Sequence, residues 1–221
     1  MRTEDLVSQL SQGLEPVRRL PSPLAMLGVW CLICVAVILG ALLLSGLRED
    51  FAAWLMDGFD LYHLMMAAVV ALTAGYAAFQ VALPDRAQRW ALLPIPPVIG
   101  WLATLGWGCL ADFARLGPEA LKLTVSYPCL VFIIGLGLPM TVAIVLLTRH
   151  AALLRATPVA ALGGLSAAAF ASIGLTLVHE LNAALMVLVW HGIAVLVVTA
   201  VGALTGPLVM QRAVRAEMAR A

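Results

Sequence analysis

Four cysteines and four histidines carry most of the chemistry open to this 221-residue chain. Cys109 and Cys129 flank one short connecting segment, and His63, His179 and His191 lie near the ends of apolar stretches. Thiolates and imidazoles together favour soft and borderline cations. Two thiols in an oxidising compartment tend toward a disulfide. Three readings of Cys109 and Cys129 therefore stand side by side. They are a stapling disulfide or two unrelated small core residues, a redox or soft-metal sensor, or a catalytic thiol. His63, His179 and His191 are candidate metal ligands, and His191 also suits a hydrogen-bonded core position. Cys31 and Cys34 form a CxxC inside an apolar run. A thiol there is inert, so these read as small packing residues. No Walker loop, HExxH, GxSxG or dinucleotide fingerprint occurs. No catalytic residue is assigned and no enzyme is expected.

The elements that must position these residues follow from composition. The chain is 63% hydrophobic and 11% charged, with mean hydropathy +1.02. A soluble domain cannot hide that much apolar surface, whereas a bilayer can. A span takes roughly 20 apolar residues. Six stretches fit, at 24–47, 61–83, 90–110, 128–148, 158–179 and 185–209. The expected fold is an all-α integral membrane protein, a six-transmembrane-helix bundle. Its parts are a cytoplasmic partner-binding segment at 1–23, a membrane domain at 24–210 and a cytoplasmic tail at 211–221. Pro94, Pro96 and Pro97 fall in the first turns of the third span, where missing N–H groups cost least. Pro139 lies inside the fourth and predicts a kink. Gln80, Thr73, Ser166, Ser172 and Thr176 are expected to act as interhelical glue. The segment 47–60 reads as a short amphipathic piece at the interface, with Phe51, Trp54, Leu55 and Phe59 near one side.

Charge sets the orientation. With the N-terminus inside, ten basic residues fall in inner segments and three, Arg48, Arg115 and Lys122, in outer ones. That is a strong positive-inside bias. Both termini are then cytoplasmic, in a bacterial inner membrane. Residues 1–23 are too polar for a signal peptide and are expected to be retained. Cys109, Cys129, His63, His179 and His191 all map toward the outer face. No acid or Lys lies mid-span, which counts against a proton-coupled transporter.

The first 20 residues are the longest polar stretch. Thr3 can cap a helix, and Glu4 and Asp5 suit its first turn. Leu6, Leu10, Leu14 and Val17 recur on one helix face. A lone helix of about 15 residues is marginal in water and gains order by laying that face on something. Membrane lipid, the protein's own loops and a partner groove all remain open.

The ordered set of motifs resembles a known family. Leu-x3-Leu-x3-Leu-Glu-Pro-Val-Arg-Arg-Leu (Leu6 to Leu20) is similar to the opening of the NrsF-like membrane anti-sigma factors. So are Arg89-Trp90-Ala91-Leu92-Leu93-Pro94, Gly106-Trp107-Gly108-Cys109-Leu110-Ala111-Asp112 and Leu185-Met186-Val187-Leu188-Val189-Trp190-His191. The resemblance covers essentially the whole chain. It implies a six-helix protein that holds an extracytoplasmic-function sigma factor through its N-terminal segment, with no direct contact to nucleic acid. Leu6, Leu10, Leu14, Val17, Arg18 and Arg19 would form that surface. It also implies an outer cysteine pair that senses heavy-metal or oxidative stress, carried over to Cys109 and Cys129. No resident cofactor is implied, and a heavy-metal ion would enter only as the signal. Two other classes stay open: a small transporter or channel, which needs a continuous polar path, and a structural membrane subunit held by a disulfide.

Overall fold

A computed structural model describes residues 3–12, 20–56, 58–122, 127–179 and 184–219. Among them there are helices and turns and no strand. The elements are α1 (Thr3–Ser11), α2 (Pro23–Ser45), α3 (Phe51–Met56), α4 (Gly58–Ala82), α5 (Ile95–Leu116), α6 (Tyr127–Thr148), α7 (Ala156–Val178) and α8 (Ala184–Met218). Short 3-10 turns join them at Gln88–Leu92, Gly117–Leu121 and Leu153–Arg155. Six helices are long and apolar enough to cross a membrane, and the chain is a multi-pass membrane protein. The bundle end reached first by α2 is called proximal below, and the end carrying α3 distal.

Local chemistry sets the helix ends. Ser22 caps α2 by accepting from the Ala25 N–H at 3.2 Å, with Pro23 in the first turn. Gly46 and Gly117, at φ +81° and +61°, end α2 and α5 in backbone geometry that side chains resist. The third span differs from expectation at both ends. A 3-10 turn at Gln88–Leu92 comes before the prolines, α5 begins at Ile95 with Pro96 and Pro97 in its first turn, and it runs past 110 to Leu116. α8 also outruns its expected end, continuing as helix through Arg212 and Arg215 to Met218. Pro139 stays inside α6. Of the amphipathic 47–60 piece, α3 is helical; the side chains of Trp54, Leu55 and Phe59 lie outside the described residues.

α7 is the centre of the bundle. It packs against α2, α4, α6 and α8, while α5 sits on α4 and α8. Its sequence explains this place, because Gly163, Gly164 and a run of alanines let neighbours come close. The tightest approach is to α8. A Cβ added at Gly206 would fall 2.3 Å from that of Ala160, and one at Gly164 3.0 Å from the Thr199 Cα. α2 by contrast turns Leu32, Leu43 and Leu44 outward, as a lipid-facing helix should.

One buried polar knot fixes α2, α4 and α7 together. Trp30 Nε1 donates to Ser166 Oγ at 3.0 Å, and Ser166 Oγ donates to the Ala71 carbonyl at 2.6 Å. Of the five expected glue residues only Ser166 bonds across helices in this way. Thr73 and Thr176 donate to carbonyls one turn back on their own helices, and Gln80 bonds Tyr76. A short hydroxyl finds its i−4 carbonyl more easily than a neighbouring helix. Ser172 Oγ is buried with no partner.

Candidate functional site

The N-terminal helix forms as its spacing predicts, with Glu4 and Asp5 in the first turn. Every described residue of α1 is exposed. Leu6 and Leu10, one turn apart, leave 40% and 67% of their surface open. Leu14, Val17, Arg18 and Arg19 lie outside the described residues. Among the described residues, Leu6 and Leu10 begin an apolar stripe that is left open to the surroundings.

The two outer-loop cysteines sit at the distal end on different helices. Cys109 is half-buried on α5. Cys129 is buried in the first turn of α6, among Ile133, Ala171, Leu175 and Ala194, with Trp190 packed alongside. The hairpin between them does not make their helices neighbours. Among the described residues α5 and α6 do not pack extensively on each other, and α8 lies against both. None of the four cysteines is joined in a disulfide.

The first turns of α8 connect the two thiol sites. Asp112, three residues beyond Cys109, accepts from the Ala184 N–H at 3.0 Å and so caps α8. A carboxylate there meets both an orphan donor and the positive end of the helix dipole. Arg115 holds the same carboxylate at 2.8 Å. Two turns on, Trp190 packs against the Cys129 cluster and lies 6.3 Å from the Tyr127 ring. Asp112 went unassigned in the sequence because a lone loop acid carries no signal of what it caps.

The three candidate histidines separate. His63 on α4 is buried, stacked on Trp101 at 5.7 Å between ring centroids. Trp101 Nε1 donates to His63 Nε2 at 3.4 Å, and Thr104 Oγ1 lies 3.5 Å from Nδ1. His191 on α8 is fully buried, and neither ring nitrogen has a partner. His179 is exposed at the end of α7, where its N–H closes the last turn on Leu175. Glu180 lies outside the described residues. Among the described residues, no three of His, Cys, Asp and Glu gather to hold an ion.

A distal clamp was also invisible in the sequence. Arg48 donates its N–H to the Leu177 carbonyl at 3.1 Å and a guanidinium N–H to that of Thr176 at 3.5 Å. It thereby caps the C-terminal end of α7 with positive charge. The same guanidinium grips Asp50 through two bonds. That hydrogen bonding holds the Asp50 carboxyl below the usual carboxylate range.

Neither a curated protein nor a solved structure matches the chain. The family model described as negative regulator of sigma F, NrsF, matches residues 10–211, and the chain belongs to that family.

Proposed function

We propose that this chain is a membrane-bound anti-sigma factor that holds an extracytoplasmic-function sigma factor at the cytoplasmic face of a bacterial inner membrane. The observation that carries the reading is the uncovered leucine stripe of α1, on a chain of a sigma-regulator family. Leu6 and Leu10 begin the docking face, and Leu14, Val17, Arg18 and Arg19 extend it. An amphipathic helix of this kind lays its apolar side into a partner groove, with anchors at i and i+4. The positive-inside bias supports cytoplasmic ends and a periplasmic distal end. The partner is a protein, the surroundings are lipid, and nucleic acid is reached only through the sigma factor.

Cys109 and Cys129 are the sensing residues, and the stimulus is a heavy-metal ion or an oxidant. Both sites bear on the start of α8, one through Asp112 and one through Trp190. Modification of either thiol shifts those turns, and α8 runs from there to the opposite face. Release of most bound partner requires several kcal/mol of differential affinity between the two packings.

Removal of residues 1–20 tests the docking site. Membranes carrying the full chain should retain the sigma factor through purification, and the truncated chain should lose it. A truncated chain that still holds the factor places the interface elsewhere. The Cys109→Ser/Cys129→Ser double variant should hold the factor as before and fail to release it under cadmium or peroxide. A normal stress response in that variant removes the thiols from the mechanism.

A further inference from the structure

The two ends of the bundle treat their charges differently. At the distal end Arg48, Arg115 and Lys122 are each held by an acid, in the pairs Arg48–Asp50, Arg115–Asp112 and Lys122–Glu119. At the proximal end the connections 83–94 and 149–155 carry four arginines, Arg86, Arg89, Arg149 and Arg155, against one acid, Asp85. Asp85 reaches Arg86 at 3.7 Å, and both side chains are at least half exposed. Positive charge is therefore in excess where α4, α5, α6 and α7 end or begin.

The two connections are also fastened to each other. Arg155 donates a guanidinium N–H to the Arg86 carbonyl at 2.8 Å, across 69 residues of chain. The 3-10 turn Leu153–Arg155 that carries it rests on α4, α7 and α8. A guanidinium has several N–H groups in a planar fork, so one bond to a carbonyl leaves donors to spare. The Arg155–Arg86 bond brings two guanidinium-bearing residues from different connections to one point of the proximal face. A fixed pair of this kind has less ordering to undergo on binding than arginines scattered along a surface.

The surroundings choose the partner. Leu92 and Leu154, in the same two connections, leave 60% and 85% of their surface open. Leucines bare beside arginines fit the boundary between headgroups and acyl chains. Trp90 stands edge-on to Tyr76 with ring centroids 5.8 Å apart, and aromatic rings of this kind collect at membrane interfaces. We infer that Arg86 and Arg155 hold the phosphodiester of one anionic phospholipid. Guanidinium groups bind phosphate oxygens through paired, charge-assisted hydrogen bonds, and basic clusters at the ends of membrane helices recognise anionic headgroups. The lipid adds to the tie between the α4–α5 and α6–α7 connections. The inference needs only that both connections lie at one membrane face, which the order of spans fixes. It requires neither the sigma-factor partner nor the cysteine sensor.

The test is native mass spectrometry of the full chain in detergent, titrated with phosphatidylglycerol or with zwitterionic phosphatidylcholine. One phosphatidylglycerol per chain should bind, about tenfold or more tighter than phosphatidylcholine. Arg86→Gln keeps the backbone carbonyl that Arg155 grips, and it should weaken phosphatidylglycerol by about fivefold or more. Arg86→Gln/Arg155→Gln should abolish the preference for the anionic lipid. Arg212→Gln/Arg215→Gln removes as much charge elsewhere in the chain and should leave the affinity unchanged. An equal loss in that control would reduce the effect to diffuse charge and overturn the site. Wild-type affinity in Arg86→Gln/Arg155→Gln overturns it too, as does equal retention of the two lipids by the wild type, a comparison that needs no variant to fold. Soluble glycerol phosphate in large excess should leave the lipid in place; displacement would assign the guanidinium groups to a free anion and overturn the lipid. The sigma-factor reading is decided separately, by co-purification with and without residues 1–20.

Discussion

Two buried polar regions sit at membrane depth in this bundle and differ in completeness. At the Trp30–Ser166–Ala71 knot, Trp30 Nε1 and the Ser166 hydroxyl both end on an acceptor, and α2, α4 and α7 are held in register. At His191 on α8 and Ser172 on α7, both imidazole nitrogens and the hydroxyl are buried without a protein partner. A completed network specifies one packing, whereas an incomplete one leaves alternatives close in energy. The difference separates a completed junction of α2, α4 and α7 from incomplete polar positions on α7 and α8 nearer the distal end.

The knot should be the costlier region to damage. Trp30→Ala removes a large, fully buried side chain and leaves a cavity, for an expected loss of about 3–5 kcal/mol. Ser166→Ala leaves the indole N–H buried without an acceptor, at about 1–3 kcal/mol. Reversible unfolding in mixed micelles, followed by far-UV circular dichroism, reads both. His191 should respond in the opposite sense. His191→Leu removes two unpartnered nitrogens and replaces them with apolar volume. It should cost less than about 1 kcal/mol or stabilise the chain. A loss equal to that of Ser166→Ala would erase the contrast between the two regions.

The smallest effect is expected at the distal clamp, and it depends on pH. Arg48 holds the Asp50 carboxyl below its ordinary value by hydrogen bonding. A group depressed in the folded state stabilises above its unfolded pKa, roughly 3.9. That contribution is complete at neutral pH and fades as pH falls through the lower, folded value. Hydrogen exchange at the last turn of α7 should therefore quicken in acid relative to its mid-helix amides, once intrinsic rates are corrected. Asp50→Asn should remove the difference. An unchanged ratio would show that Arg48 caps α7 without help from Asp50.

The membrane spans were legible because the signal is a sum over roughly 20 residues, which tolerates local exceptions. Their ends were less so. α5 began at Ile95 after a separate 3-10 turn, and the Arg-bearing end of α8 stayed helical beyond the apolar run that marked it. Contacts between distant parts of the chain carried no such signal. Trp30 and Ser166 are 136 residues apart, and nothing in either neighbourhood names the other. The cysteines show the same limit. Cys109 and Cys129 flank one loop, yet α8, last in the chain, packs against both helices. Adjacency in sequence gave way to the order of helices around α7. The histidines likewise shared a depth on paper, but His179 ended exposed while His63 and His191 were buried.

The contact of Gly206 and Gly164 with Ala160 and Thr199 bears on how displacement travels. Backbones this close have no cushion of side chains that could rearrange to absorb a movement. Mechanically, α7 and α8 are one stiff beam, and α8, at 35 residues, is roughly 52 Å long. In the sensing mechanism proposed above, a displacement at Asp112 or Trp190 would reach Arg212 and Arg215 only by way of Pro207, which lies inside α8.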